Sequence, residues 1–176
     1  MYQQRRWGWR QLEPRWAELL VARAPIRAGA LVIDVGAGTG AITAELVEVR
    51  ARVIAVEAHH RRAEVLEERF EHGVVVVRAD AADLRLPRRP YDVVANPPFA
   101  ITHALLRRIL QRGSRLRSAT LILQDQAARR WASTSAPAFS RWGHIFDARL
   151  GPSVPRRAFR PEPRVKARIL EIRRRR

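Results

Sequence analysis

An α/β fold around a mostly parallel sheet is what this sequence predicts, on three observations. The apolar run Leu31-Val32-Ile33-Asp34 leads into a glycine turn, Val35-Gly36-Ala37-Gly38-Thr39-Gly40, and then into residues with Ile42, Leu46 and Val49 at helical spacing. The next apolar run, Val53-Ile54-Ala55-Val56, ends in Glu57, and the one after it, Val74-Val75-Val76-Val77, is followed by Asp80. Acids that recur after successive strands collect at one edge of a parallel sheet, where such folds bind ligands.

The N-terminal stretch Arg5-Arg6-Trp7-Gly8-Trp9-Arg10 interleaves cations with aromatic rings, and a helix is expected over residues 13–24. Charge combined with stacking surface suits looped or single-stranded RNA, and the same tryptophans equally suit stapling this segment to the core. In the glycine turn, Gly36, Gly38 and Gly40 let the backbone bend tightly and meet a ligand with no β-carbon between them. Glu57 is placed to accept both hydroxyls of an adenosine ribose. Pyrophosphate sites do not need an acid such as Asp34 beside the glycines, whereas a cationic, phosphate-free ligand such as S-adenosylmethionine does suit one. A second helix is expected over 60–70. His59 and His60 at its start read as surface residues, since two adjacent histidines without further ligand spacing make a poor metal site. The valine run 74–77 reads as a fully buried strand. Asp80 behind it can accept an adenine amino group, or cap the turn Ala81-Ala82-Asp83.

A loop of prolines and arginines precedes the strand Tyr91-Asp92-Val93-Val94-Ala95, which delivers Asn96-Pro97-Pro98-Phe99. The paired prolines fix φ and hold the residues before them extended, so the Asn96 side chain and the Pro97 carbonyl are presented together with little freedom. Two converging acceptors bind both hydrogens of an exocyclic amino group, and the Phe99 ring stacks on the base that carries it. Next comes a helix over 102–110, with Leu105, Leu106, Ile109 and Leu110 inward and Arg107, Arg108 and Arg112 outward. A fifth strand at 119–123 runs into a short helix ending near Trp131, and residues 132–141 read as an exposed loop able to touch substrate. Strands are expected at 144–150 and 165–172, the last half-exposed because Val165, Ala167 and Ile169 alternate with Lys166 and Arg168. Between them, the prolines of Pro155-Arg156-Arg157-Ala158-Phe159-Arg160-Pro161-Glu162-Pro163-Arg164 keep a loop extended. Phe159 is expected there as the second wall of a flipped-base pocket opposite Phe99, or as a plug of the core below it.

Composition narrows the partners. With 176 residues, 47% of them hydrophobic, the chain makes one domain with a proper core. Without cysteine it forms no disulfide, and without a long apolar run it offers neither signal peptide nor membrane span, which fits a cytoplasmic protein. The formal charge of +17 comes almost wholly from arginine, Lys166 being the single lysine. Arginine pairs with phosphate through two-point geometry and stacks on bases, so nucleic acid is the expected partner and a membrane is not.

The glycine turn with Asp34, Glu57, Asp80, the Asn96-Pro97-Pro98-Phe99 turn and the Phe-x-Pro-x-Pro-x-Val run from Phe159 to Val165 together resemble the Erm family of ribosomal RNA adenine N6-methyltransferases, relatives of the KsgA enzymes. The resemblance spans nearly the whole chain. It implies a Rossmann-like, class I S-adenosylmethionine-dependent methyltransferase with a seven-stranded, mostly parallel sheet whose last strand is antiparallel. It also implies a 23S rRNA adenine as acceptor, and macrolide, lincosamide and streptogramin B resistance as the outcome. Carried onto this sequence, the catalytic set is Asn96, Pro97, Phe99 and Phe159, and the cofactor set is Asp34, Gly36, Gly38, Gly40, Glu57, Ala58, Asp80, Ala81 and Asn96. RNA contacts are expected from Arg5, Arg6, Trp7, Trp9, Arg10, Arg107, Arg108, Arg129, Arg130, Arg141, Arg156, Arg157, Arg160 and Arg164, with no metal and a monomeric enzyme.

Three departures qualify the resemblance. The family's Gln-Asn-Phe or Gln-His-Phe run falls on Gly8-Trp9-Arg10, so the N-terminal wall of the cofactor site is built differently. Lys166-Ala167 replaces the usual Asp-Ser. The chain resembles short actinobacterial members, with an N-terminal segment over 1–30, a catalytic domain over 31–176 and no C-terminal helical domain. A KsgA-type reaction on 16S rRNA, glutamine methylation of release factors, and an inactive RNA-binding protein of the same fold are the alternatives. The Phe159 run and the arginine excess weigh against the second, and the intact Asp34, Glu57 and Asn96 against the third.

Overall fold

Seven strands form one sheet with helices on both faces, in a computed structural model that describes residues 9–133 and 142–175. Arg5, Arg6, Trp7 and Arg141, with most of the 132–141 loop, lie outside the described residues. In chain order the elements are β1 (Gln11–Leu12), α1 (Pro14–Arg23), β2 (Leu31–Val35), α2 (Ala41–Glu48), β3 (Arg52–Val56), α3 (His60–Arg69) and β4 (Val74–Val77). There follow β5 (Tyr91–Ala95), α4 (Thr102–Ile109), β6 (Leu116–Gln124), α5 (Asp125–Ala132), β7 (Phe146–Val154), β8 (Phe159–Arg160) and β9 (Ala167–Arg174). Pro14 opens α1, where its missing N–H costs nothing, and Gly40 precedes α2 in the left-handed conformation.

Strand order is β4-β3-β2-β5-β6-β9-β7, parallel from β4 to β6, with β9 antiparallel to both its neighbours. Alternation along the strands builds two cores. Ile33, Val35, Val93, Ala95, Leu121 and Leu123 meet α4 and α5 on one face, while Val32, Val53, Val94, Ile122 and Ile169 meet α1 and α2 on the other. A separate two-stranded ribbon pairs β1 antiparallel with β8, setting Gln11 against Arg160 and Leu12 against Phe159. It ties the N-terminal segment to the Phe159 loop.

Three expectations are corrected. The valine run of β4 is an edge strand rather than a buried one, and Val75 is 61% exposed. Strand β7 begins at Phe146 and continues to Val154 past Gly151-Pro152, because a register shift between Leu150 and Ser153 absorbs the residues that would otherwise end it. Strand β9 begins at Ala167 and is an interior strand, with Ala167, Ile169, Leu170 and Ile172 all buried.

Candidate active site

The carboxyl ends of β2, β3, β4 and β5 converge on one edge of the sheet, and the sequence puts a special turn after each. After β2, the amides of Gly36 and Ala37 both donate to the Val56 carbonyl, at 2.8 and 3.1 Å, locking the glycine turn onto the end of β3. Gly36 has φ +74°, and a Cβ there would lie 2.8 Å from Cδ of Pro98. The glycine turn and the Asn-Pro-Pro turn are therefore packed backbone against ring, which only glycine permits. Gly36→Ala is expected to cost about 2–3 kcal/mol from the left-handed φ and the rigid proline together. Thermal unfolding should register this as a drop on the order of 5–10 °C.

Asp34, at the end of β2, is fully buried. Its Oδ2 accepts the Thr43 hydroxyl at 2.8 Å, while Oδ1 has no partner. Burial pushes its carboxyl up to about 7, the Thr43 bond pulls it down, and the nearby Glu57 carboxylate adds to the rise. Glu57 follows β3 and is itself 3% exposed. It accepts the Gly38 amide at 2.9 Å through Oε2, and the His59 amide and Arg62 Nη2, both at 2.8 Å, through Oε1. A buried carboxylate is held here by two amides and one guanidinium.

Three adjoining clefts line this edge. One, of about 300 Å³, lies between Gly36, Glu57, Ala58, Arg62, Ala79, Ala81, Pro98 and Ile101, mostly apolar walls with one acid and the arginine paired to it. A second, of about 280 Å³, is walled by Gly36, Ala37, Thr39, Ile42 and Asn96 with Trp9-Arg10-Gln11-Leu12. The third, of about 250 Å³, is formed by Asn96, Pro97, Pro98, Phe99 and Phe159 with Trp9 and Arg10. Shared residues join them into one trough, with Gly36 between the first and second and Asn96 between the second and third.

The expected catalytic residues thus meet in one cleft. Phe159 is 1% exposed and packs in the core with Leu12, Ala17 and Leu20, so it backs the pocket as a core residue, and Phe99 is the more open ring. Of the expected cofactor set, Gly36, Glu57, Ala58, Ala81 and Asn96 line the clefts. Asp34 lies beneath them, and Gly38 supplies its amide to Glu57. Gly40 is packed under Phe70 and Leu66 and lines none of these clefts. Asp80 is half-buried at the end of β4, its carbonyl accepting the Asp83 amide at 3.0 Å, while Ala79 and Ala81 on either side face the cleft.

Trp9 and Arg10, expected on the RNA surface and also aligned with the N-terminal wall of the cofactor site, are walls of these clefts. A Cβ on Gly38 would lie 2.1 Å from the Trp9 indole nitrogen. The Arg62 guanidinium sits 4.9 Å from the Trp9 ring centre and that of Arg10 5.5 Å from the Phe99 ring centre. Among the residues that escaped the sequence reading, two bind the buried acids. Thr43 lies on the inner side of α2, and Arg62 in the first turn of α3 reaches both Glu57 and Trp9; nothing in their spacing marks them.

The remaining expected RNA contacts divide. Arg157, Arg160 and Arg164 are exposed on the β7–β9 connection beside the third cleft, and Arg156 there donates to the Pro163 carbonyl at 2.6 Å. Arg130 is exposed on α5, and Arg129 pairs with Asp125 at 2.8 Å. Arg107 and Arg108 fall in the last turn of α4, at the end remote from Asn96, and Arg108 donates to the Leu84 carbonyl at 2.7 Å.

Comparisons with known proteins agree with this geometry. The family model described as ribosomal RNA adenine dimethylase matches residues 13–176. An rRNA adenine N-6-methyltransferase of Corynebacterium diphtheriae is 37% identical over 146 residues, covering 81% of this chain and 57% of that protein. The mycinamicin-resistance protein MyrB of Micromonospora griseorubida is 37% identical over 148 residues, 82% of this chain and 47% of its own length. Among solved structures, the 23S rRNA methyltransferase ErmE superposes with a TM-score of 0.82 at 28% identity, covering 92% of this chain and 68% of that one. The chain spans about half the length of the curated relatives it matches. With a family model covering nearly all of it, this chain belongs to the ribosomal RNA adenine dimethylase family.

Proposed function

We propose that this chain methylates N6 of an adenine in 23S rRNA with S-adenosylmethionine as donor, and thereby confers macrolide, lincosamide and streptogramin B resistance. The observation that carries the reading is Asn96: it stands on a proline-stiffened turn, shares a cleft with Phe99 and Phe159, and its side chain has no hydrogen-bond partner among the described residues. A polar group held rigid at the mouth of a cleft and left unsatisfied by its own chain is set for a ligand.

The donor set supports the cofactor. Asp34 keeps one buried oxygen without a partner, the place where a cation would be compensated, and the Glu57 cleft has mostly apolar walls with one acid, itself paired to Arg62, which suits a nucleoside. Asp34, Glu57, Ala58, Ala81 and the Gly36 turn would hold S-adenosylmethionine, which when bound supplies an electrophilic methyl group. The chain's own work is positioning. The Asn96 side-chain oxygen and the Pro97 carbonyl accept the two N6 hydrogens, favour a pyramidal nitrogen and aim its lone pair, while Phe99 supports the base. No strong base is needed, since the methylated ammonium is acidic and releases its proton afterwards.

Methyl transfer from labelled S-adenosylmethionine to protein-free 23S and 16S transcripts, with primer extension to map the stop, tests the reading. Label on one adenine of the 23S peptidyl transferase region is the expected result. Label on 16S RNA would move the assignment to the KsgA-type reaction, and label on neither would overturn both.

A further inference from the structure

We infer that the amino edge of the β5–β6–β9 half of the sheet, opposite the catalytic edge, is a second RNA-binding surface that grips backbone phosphates of the substrate RNA away from the target adenine. The inference rests on the proposed activity toward RNA, and goes beyond it by assigning a surface to arginines that no catalytic role uses.

Three connections bring exposed arginines together at this edge. Arg88 and Arg89 end the loop into β5; Arg112 and Arg115 lie between α4 and β6; Arg173, Arg174 and Arg175 close β9, next to β6 in the sheet. Hydrogen bonds to backbone carbonyls fix the grouping. The Tyr91 amide donates to the Arg115 carbonyl at 3.3 Å, and Arg174 donates to the Leu116 and Ser114 carbonyls at 2.8 and 2.5 Å. Acids of the strands that reach this edge are taken: Asp92 is 2% exposed and pairs with Arg117 of β6, Asp147 pairs with Arg175 at 2.8 Å, and Glu171 pairs with Arg23. The guanidinium groups of Arg88, Arg89, Arg112, Arg115 and Arg173 therefore face solvent with no ion pair among the described residues.

At the catalytic edge some arginines are bound internally, while Arg157, Arg160 and Arg164 stay exposed beside the third cleft, so cations are open at both edges. Arg62 is bound to Glu57, and Arg129 and Arg168 are both bound to Asp125. Like charges crowded on one edge repel one another, and an external polyanion relieves that repulsion. Guanidinium groups rather than ammonium groups favour phosphate, which they meet in two-point geometry. The two edges lie about 17 Å apart along the five residues of β5, and α4 runs between them with Arg107 exposed on its outer side. An RNA whose adenine enters the Asn96 cleft can thus follow α4 down to Arg112 and its neighbours.

The test uses the full chain with Arg88, Arg89, Arg112 and Arg115 all replaced by glutamine, and a milder variant with only R88Q and R89Q. Unfolding temperature and S-adenosylmethionine affinity serve as controls for folding. Each protein is assayed on a long 23S fragment and on a short hairpin carrying the target adenine. We expect KM for the long RNA to rise by about 10–100-fold at physiological salt, and the slope of log affinity against log salt to flatten by about 2–3 units. Transfer to the hairpin should be unchanged, and the milder variant should show a smaller effect in the same direction. Unchanged KM and slope on the long RNA would overturn the inference, as would an equal loss on both substrates. Binding to phosphatidylserine vesicles that is lost in the variant while RNA binding persists would reassign the surface to a membrane. If the wild-type chain methylates neither transcript, direct binding of the 23S fragment still decides: weaker binding by the variant upholds the surface while the proposed activity falls, and equal binding removes both.

Discussion

Asn96→Ala is expected to slow methyl transfer by about 10²–10³-fold while changing S-adenosylmethionine affinity only a few-fold. Asn96 follows β5 directly and precedes two prolines, of which Pro97 is buried and Pro98 packs on Gly36. The alanine variant keeps that turn, so what is lost is the side-chain oxygen alone. On the proposed mechanism, the amino group of the base would then have one fixed acceptor, the Pro97 carbonyl, and be free to rotate out of line. Loss confined to kcat is what a contact made chiefly in the transition state predicts. Asn96→Asp retains an acceptor and should keep more activity than the alanine variant. Wild-type rates in Asn96→Ala, with cofactor still bound in titration calorimetry, would remove the residue from the mechanism.

Asp34→Asn should make the protein more stable at pH 8 and nearly inactive. The folded carboxyl titrates near 7 against an ordinary value of 3.8, chiefly because it is buried. Between those two values the folded state holds a proton that the unfolded state has released, so stability falls as pH rises through this window and levels off above it. At 1.36 kcal/mol per unit the ceiling is roughly 4 kcal/mol, and a gain of about 2–4 kcal/mol is expected for the asparagine variant at pH 8, shrinking toward zero near pH 4. Urea unfolding of both proteins at the two pH values measures the difference and cancels other titrating groups. A gap that stays constant with pH would show that Asp34 is not strained by burial. The same acid explains why a protein would keep such a liability: a cation bound beside the unpartnered oxygen favours the ionised form, so wild-type affinity for S-adenosylmethionine should tighten between pH 6 and pH 8.

What the sequence disclosed and what it hid divide along one physical line. Glycine turn, Glu57 and the Asn96 turn were legible because each is a local solution, a few consecutive residues whose backbone preferences admit one geometry after a strand. Trp9 was not. It reaches Gly38 and Arg62 because β1 pairs with β8, a contact between residues at opposite ends of the chain that no periodicity reports. The valine run of β4 announced a strand correctly and its burial wrongly, since β-branched residues favour extended backbone whether or not a neighbour covers them. Strand β9 misled in the opposite sense. Its alternating Arg168 looked solvent-facing, yet the side chain reaches Asp125 and the Gly151 carbonyl, at 3.1 Å for the latter, so a charge within an interior strand is paired.

The β1–β8 ribbon has a consequence for the order in which the molecule opens. Two residues pair with two, backed by one further bond from the Glu13 amide to the Ala158 carbonyl at 2.9 Å, whereas β6 and β9 pair along seven positions. So short a ladder, closing so long a loop, is expected to open before the central strands do, though Leu12 and Phe159 anchor it in the core. Amide hydrogen exchange should therefore be fast at Glu13 and slow along β5, β6 and β9. Because that ribbon carries Trp9 and Arg10 on one side and Phe159 on the other, its release uncovers all the clefts it walls while the sheet stays folded. A substrate as bulky as a nucleotide still joined to its strand then has a way in that does not require the protein to unfold.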